Sequence, residues 1–160
     1  MRQPRWRILI PVALLITILA PSLRSLPMGG ALPDPWLLFT LFALPYFHGE
    51  NYARGFRFVG LMGLLRASVS AASPFTSWAG LTVALIVRER AHRRFTDEHF
   101  VLRFAAGLMA AIPPTLLDLL DAQRLGVQIP WNSFGWRILW VGLAWALLNR
   151  PGPHHLRRRS

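Results

Sequence analysis

The chain has 160 residues, so a single domain is expected, and 53% of the residues are hydrophobic although the formal net charge is +11. All 18 basic residues are arginine, and they cluster between long apolar segments, which argues against a soluble nucleic-acid-binding domain. Because the chain has no cysteine, disulfides, thiolate chemistry and zinc–thiolate sites are excluded as well.

The N-terminal stretch is basic and is followed by an apolar run over residues 8–23, which is the arrangement of a signal peptide. No small-residue cleavage site follows this run, and further apolar segments come after it, so we expect a first transmembrane helix that is retained. Five more apolar segments lie along the chain. They cover residues 35–47, 58–73, 75–88, 100–120 and 135–149.

A perpendicular crossing of the hydrocarbon core takes about 20 helical residues, and several of these six segments are shorter. The sequence therefore predicts an all-α integral membrane protein, a compact bundle of about six short transmembrane helices that forms a single membrane domain over residues 1–160. No soluble domain fits into the connections. The charged stretch "RERAHRRFTDEH" is expected to extend the fourth helix past the membrane surface.

The positions of the arginines predict the orientation of the bundle. If the N-terminus is cytoplasmic and six helices alternate, fourteen arginines fall on the cytoplasmic side and three on the outer side. The cytoplasmic set is Arg2, Arg5, Arg7, Arg54, Arg57, Arg88, Arg90, Arg93, Arg94, Arg103, Arg150, Arg157, Arg158 and Arg159, and the outer set is Arg24, Arg124 and Arg137. Because cytoplasmic loops carry an excess of basic residues, we expect both termini in the cytoplasm. The two ends of the bundle are named the inner and the outer end accordingly.

The remaining arginine, Arg66, stands near the middle of the apolar run "GLMGLLRASVSAASP". A charge at mid-membrane costs at least about 2.5–3.5 kcal/mol on insertion scales, so it usually faces protein or water. Three explanations are open: pairing with carbonyls or an acid, snorkelling to the interface, and a ligand role. The small residues around Arg66 favour pairing, because they let another backbone approach closely. The candidates for contact with a partner helix are Gly60, Gly63, Arg66, Ala67 and Ala71.

Asp118 and Asp121 are three residues apart and share one helical face near the outer end of the fifth helix. Paired carboxylates can act as acid and base or bind a cation, but Arg124 and Arg137 are expected at the same depth. An ion cluster of these four residues at the outer end is therefore the preferred interpretation. Depth also argues against a pair between Asp118 and Arg66, because Asp118 is expected roughly two to three helical turns further outward.

No cofactor or metal site is expected from the sequence. The histidines lie in polar loops or in the tail, and none has the spacing of a metal ligand on a buried helix. They are His48, His92, His99, His154 and His155. The nucleophile-elbow, zinc-protease, P-loop and dinucleotide-binding motifs are also missing. The sequence therefore favours a protein that is not an enzyme, without catalytic residues or a nucleic-acid partner.

The stretch "GLMGLLRASVSAASPFTSWAGLTVALIVRERAHRR" resembles the central hairpin of the rod shape-determining protein MreD family. It contains a glycine-bearing helix that reaches a polar residue, Arg66, then the turn Ser73-Pro74-Phe75 and a helix that ends in the basic cluster of residues 88–94. The chain length and the six short segments with internal termini fit as well. The resemblance implies a fold like that of the substrate-binding components of energy-coupling-factor transporters. It also implies association with the bitopic protein MreC and with the wall-synthesis complex that follows MreB filaments.

Two functions of different classes follow from these features. The first is a non-enzymatic inner-membrane scaffold of the bacterial cell-elongation machinery, which contacts membrane lipids and binds partner transmembrane proteins. The second is a small-molecule-binding membrane transport component that resembles the energy-coupling-factor substrate-binding components. A transport component should place polar groups around an outward-facing pocket, whereas a scaffold should have a filled interior.

Overall fold

The computed structural model describes residues 6–26, 29–44, 51–70, 72–94, 99–128 and 130–148. Within these ranges the chain forms six α-helices, one short 3-10 turn and no strand, which confirms the all-α class expected from the sequence. The elements are α1 (Trp6–Arg24), the 3-10 turn (Gly29–Ala31), α2 (Pro35–Ala43), α3 (Asn51–Ser68), α4 (Pro74–Arg94), α5 (Phe100–Arg124) and α6 (Trp131–Leu148).

Two of the described helices, α1 and α5, are long and apolar enough to cross a membrane. Their qualifying stretches are Arg7–Arg24 and Phe100–Arg124, each with a mean hydropathy of 1.7. Length and composition of these two helices indicate membrane association. α2 has only nine residues, fewer than a full crossing requires.

The end of α3 differs from the predicted segment. The helix begins at Asn51 and stops at Ser68, whereas the predicted segment covered residues 58–73. Ser68 Oγ donates to the carbonyl oxygen of Leu65 at 2.7 Å, which is a local bond that competes with further helix. Pro74, which starts α4, disfavours helical backbone in the residue before it. As a result Arg66 lies in the last turn of α3 and not at the middle of a span.

α4 and α5 are the longest described helices, and they pack closely against each other. α4 continues to Arg94, so the predicted extension of the fourth helix beyond residue 88 is confirmed. The two helices approach closely at Gly80, where a Cβ would lie only 3.0 Å from the Cα of Pro114. A larger residue than glycine would push α4 away from α5.

The core receives buried apolar side chains from all six described helices, and most of its large ones come from α2, α3 and α4. Its largest fully buried apolar side chains are Trp36, Leu37, Leu41, Phe58, Met62 and Leu81. α5 and α6 meet closely at Gly107, where a Cβ would lie 2.7 Å from Cβ of Trp145. Such small-residue contacts are typical of helices that associate by close packing.

α1 lies at the edge of the bundle, against α2 and α3. It buries the small side chains Ala13 and Ala20, while Ile18 on its other face is 73% exposed. Inside, Thr17 Oγ1 donates to the Ala13 carbonyl at 2.8 Å and accepts a bond from Trp36 Nε1 at 3.1 Å. α1 is therefore fixed to α2 by a buried hydrogen bond and presents an apolar surface outward.

Candidate functional site

The outer end of the bundle holds a buried polar cluster centred on Arg66, whose side chain is 2% exposed. Its Nε donates to Oδ2 of Asp34 at 2.7 Å. Its Nη2 donates to the two carboxylate oxygens of Asp118 in α5, at 2.6 and 2.5 Å. Nη1 lies 3.5 Å from Oγ of Ser77 in α4. One guanidinium group therefore connects α3 to the start of α2, to α4 and to α5.

Asp34 has two roles at the start of α2. Its Oδ1 accepts from the backbone N–H groups of Trp36 at 3.0 Å and Leu37 at 3.3 Å, which makes it the N-cap, while Oδ2 accepts from Arg66. Burial alone would raise the pKa of Asp34. The charges of Arg66 and Arg24, together with the two backbone N–H groups, more than offset this effect and hold the pKa below its ordinary value. Asp34 is thus held as a carboxylate.

The prediction that Asp118 and Arg66 lie at different depths and do not pair is wrong. Arg66 is only two residues from the end of α3 at Ser68, so its guanidinium lies near the outer end. Asp118 precedes the end of α5 at Arg124 by six residues, which is about 9 Å along the axis, and the long arginine side chain spans the remaining difference. A cation in the last turn of a helix also interacts favourably with the helix dipole.

Sequence reasoning did not identify Asp34 as part of this cluster. One signal was present, because an aspartate directly before Pro35 and an apolar run is the pattern of a helix N-cap. A second was the small number of acids, since only 7 acidic residues could pair with a buried arginine. The pairing itself joins residues 32 apart, and no local pattern specifies a contact of that range.

The predicted ion cluster at the outer end is present only in part, because one of its aspartates pairs with an arginine of the predicted set and the other does not. Asp118 pairs with Arg66, and neither of the two expected arginines is its ion-pair partner within the described residues. Asp121 Oδ1 lies 3.9 Å from Nη1 of Arg124, whose side chain is 76% exposed, so this pair contributes little. Arg137 Nε donates instead to a backbone carbonyl of the 3-10 turn, at 2.6 Å.

Asp121 connects α5 to the start of α4 by hydrogen bonds. Its Oδ2 accepts from Oγ1 of Thr76 at 2.6 Å, and the backbone N–H of Ser73 lies 3.4 Å from the same oxygen. Ser73 Oγ in turn accepts from the N–H of Thr76 at 3.1 Å and so caps α4. The two aspartates of α5 therefore serve different helices and do not form a joint acid–base pair.

The candidates for contact with a partner helix fall on two faces of α3. Gly63 faces α4, where a Cβ would lie 3.0 Å from the Cα of Trp78, and Arg66 faces Asp34 and Asp118 inside the bundle. Gly60 is different, because a Cβ there would meet no atom within 4 Å. Ala67 is half-buried, and Ala71 lies outside the described residues.

A small cavity of about 140 Å³ opens beside Arg66 at the outer end. Its charged lining consists of Arg24, Arg66, Asp118, Asp121 and Arg137. This volume holds roughly four or five water molecules. Polar groups thus surround a pocket, as expected of a transport component, but the pocket is small beside the ~300–1,000 Å³ of typical small-molecule sites.

A second buried arginine, Arg88 of α4, lies at the inner end and is 2% exposed. Its Nη1 donates to the carbonyl oxygens of Leu41 and Leu44 at the end of α2, at 2.6 and 2.9 Å. Its Nη2 donates to Oε1 of Glu89 at 3.0 Å. Arg103, near the start of α5, is buried as well. Sequence reasoning placed both arginines at the inner end but did not anticipate their burial.

Within the described ranges, no group of three or more His, Asp or Glu side chains is arranged to hold a metal ion. His48, His154 and His155 lie outside those ranges, and the side chain of His92 is not described. His99 is exposed at the start of α5, where its side chain makes no capping bond.

No family model, curated protein or solved structure matches the chain. Evidence for the function therefore comes from the chain's own residues, in particular from the two faces of α3 and from the charged groups at the outer end.

Proposed function

We propose that this protein is a non-enzymatic scaffold in the bacterial inner membrane, with both termini cytoplasmic, that binds partner transmembrane helices. In the setting suggested by its resemblance to the MreD family, it serves the cell-elongation machinery, which controls rod shape and peptidoglycan synthesis. The partners there are an MreC-like bitopic protein and the wall-synthesis complex. The observation that carries this proposal is the division of α3 into an internal and an open face.

The internal face of α3 is already occupied by the chain's own side chains. Gly63 contacts α4, and Arg66 donates to two carboxylates and lies 3.5 Å from the Ser77 hydroxyl. An arginine with these partners inside the chain does not need a partner protein to satisfy it. The polar cluster at the outer end therefore supports a structural role, holding α2 and α5 against α3.

The open face of α3 carries small residues at a helical spacing. Ala53 is exposed and Gly60 and Ala67 are half-buried, and these residues follow one another at intervals of seven, which places them on one side of the helix. Gly60 has open space where a Cβ would be. Leu64, beside this row, is 62% exposed. Small residues in such a row let a second helix approach closely, which is how helices associate in a membrane.

Membrane placement has support in the surface of the bundle. The two helices that are long and apolar enough to cross a membrane, α1 and α5, expose large apolar side chains such as Ile18 at 73% and Val101 at 71%. A soluble monomer rarely exposes contiguous apolar surface on this scale. The arginine distribution along the chain supports cytoplasmic termini.

The experiment is co-purification of the MreC-like bitopic protein of the same organism with a Gly60→Leu variant. The new side chain enters open space in the isolated chain, so folding should be unaffected, whereas a partner helix on this face would be pushed away. Gly135→Leu is the matched control, because a Cβ added at Gly135 in α6 would likewise meet no atom within 4 Å.

We expect recovery of the partner to fall at least about tenfold for Gly60→Leu, as loss of close helix packing costs more than ~1.4 kcal/mol. Recovery with Gly135→Leu should match the unmodified chain at equal membrane levels. Equal recovery with both variants would contradict a partner site on this face of α3.

The rival function is a membrane transport component that binds a small molecule, and the charged cavity at the outer end is the observation that favours it. Its volume of about 140 Å³ admits a small polar group but not a vitamin-sized substrate. The scaffold is therefore the better-supported function, and the cavity needs a different explanation.

A further inference from the structure

Two arginines at the outer end, Arg24 and Arg137, line the cavity without a carboxylate partner. Within the described part of the chain neither guanidinium is within ion-pair distance of an acid. Arg24 lies over the ring of Trp36, 5.2 Å from its centroid. Arg137 lies 5.7 Å from the ring centroid of Phe134, and its Nε donates to the Gly30 carbonyl. These contacts orient the two side chains but leave most of their N–H donors available.

The aspartates near the cavity already have partners. Asp34 and Asp118 accept from Arg66, and Asp121 accepts from the Thr76 hydroxyl. The described residues of the outer end carry four arginines and three aspartates, which leaves one excess positive charge. They are Arg24, Arg66, Arg124, Arg137, Asp34, Asp118 and Asp121. A single negative charge bound in the cavity would balance this excess.

Arg24 also lines an apolar groove of about 250 Å³. The groove lies between the end of α1 and the start of α2, and its apolar lining includes Ala20, Leu23, Leu32 and Leu38. Arg24 lines both spaces, so it stands at the boundary between a polar cavity and an apolar groove. A ligand that fits both spaces has an anionic head and an apolar tail.

We propose that Arg24 and Arg137 bind the phosphate group of an anionic amphiphile, whose apolar chain lies in the groove between α1 and α2. The planar guanidinium groups match the oxygen geometry of a phosphate and donate paired hydrogen bonds to it. A phosphodiester head carries the one negative charge that the outer end lacks. A cavity of about 140 Å³ holds a group of this size and excludes a larger head from full burial. The proposal depends on membrane placement but not on a partner protein.

The test measures lipid binding to the purified full chain in detergent by native mass spectrometry. The probes are dihexanoyl phosphatidylglycerol, dihexanoyl phosphatidylcholine and inorganic phosphate. The variants are Arg24→Gln and Arg137→Gln, and the matched control is Arg124→Gln, since Arg124 belongs to the same end but is 76% exposed and does not line the cavity. Arg24→Gln should leave the fold intact, because the Arg24 side chain makes no hydrogen bond within the described residues that the change would break.

We expect phosphatidylglycerol to bind at least about tenfold more tightly than phosphatidylcholine, whose choline cation would face the arginines. Each cavity variant should lose about tenfold or more in phosphatidylglycerol affinity, as expected for hydrogen bonds to a charged group, and the control should change by less than about twofold.

Unchanged phosphatidylglycerol affinity in Arg24→Gln and Arg137→Gln would overturn the site. Inorganic phosphate that competes as tightly as the lipid would overturn the role of the groove and assign the cavity to a soluble phosphate. Neither result bears on the association of a partner with Gly60, so failure of this site and failure of the scaffold function are distinguishable.

Discussion

The two ends of the bundle each bury an arginine, but they satisfy it in different ways. At the outer end Arg66 donates to the carboxylates of Asp34 and Asp118, which belong to other parts of the chain. At the inner end Arg88 donates to the backbone carbonyls of Leu41 and Leu44 and to the adjacent Glu89. Arg66 therefore binds two carboxylates from other parts of the chain, whereas the bonds of Arg88 include the last carbonyl groups of α2.

Both arginines act on the same short helix. α2 has nine residues, too few to be stable as an isolated helix. Its N-terminal cap, Asp34, is bound by Arg66, and its last carbonyls are bound by Arg88. α2 is too short to cross a membrane by itself. It is held at each end by one arginine from a neighbouring helix, Arg66 of α3 and Arg88 of α4. The comparison predicts that loss of the outer arginine costs more than loss of the inner one.

The assignment of outer and inner ends is the first part of this comparison to test, and its outcome is all-or-none. Reporter fusions after Arg94 should give a cytoplasmic signal, and a fusion within residues 124–131 should give an external signal, because fourteen arginines against three favour that orientation. An external signal after Arg94 would exchange the two ends and remove the basis for the predicted topology.

The largest effect on stability is expected for Arg66→Leu. Removal of one member of a buried ion pair typically costs about 3–5 kcal/mol, because the partner charge stays buried without compensation, and here two carboxylates would be left. The measurement is unfolding of the purified chain in detergent, compared with Arg124→Leu at the exposed position of the same end.

A second variant separates this mechanism from simple loss of packing. Arg66→Leu combined with Asp34→Asn and Asp118→Asn removes the orphaned charges, so part of the lost stability should return. If Arg66→Leu leaves stability unchanged or raises it, the guanidinium faces lipid and the outer cluster is not a structural element.

A smaller loss is expected for Arg88→Met at the inner end. The methionine retains much of the apolar volume, and the groups that lose a donor include two neutral carbonyls and one carboxylate, that of Glu89, whereas Arg66→Leu leaves two carboxylates without their cation. Arg88→Met should therefore lower the stability of the chain by less than Arg66→Leu in the same detergent. A loss equal to or larger than that of Arg66→Leu would show that the inner arginine carries more than the closure of α2.

The sequence predicted the number and order of the helices because the apolar segments are separated by arginines or by Pro/Gly-rich turns. It misplaced the end of α3 because the residues that follow the helix, such as Val69, Ser70 and Ala72, are small or weakly polar. Their hydropathy is the same whether they form a helix or a turn. The helix ends there because Ser68 bonds to the Leu65 carbonyl and because Pro74 disfavours helical backbone in the residue before it. That error moved Arg66 to mid-depth and so hid its pairing with Asp118.

The remaining features of the site depend on contacts between distant parts of the chain. From the sequence alone, Arg88 is predicted to be a cytoplasmic arginine at the end of an apolar segment, like several others in the chain. Its burial follows from the placement of the end of α2 beside α4, and the bonded residues are 47 and 44 positions apart in the sequence. Periodicity and charge counts describe helices one at a time, so they predicted the end of the bundle at which Arg88 lies but not the groups that it binds.

The smallest predicted effect concerns the edge of the outer cluster and is expected for Thr76→Val. This change removes the hydroxyl that donates to Asp121 at 2.6 Å, while the Ser73 N–H stays near the same carboxylate, so a loss of about 0.5–1.5 kcal/mol is expected. Thr82→Val, further along α4, is the matched control. Thr82 Oγ1 is buried without a hydrogen-bond partner within the described residues, so its removal should be neutral or slightly stabilising. Unfolding of both variants in one detergent gives the comparison, and equal losses would mean that the bond to Asp121 contributes nothing beyond the shape of the threonine. The expected difference would show that the outer end is held by specific charged contacts out to its margin, in contrast to the carbonyl contacts at the inner end.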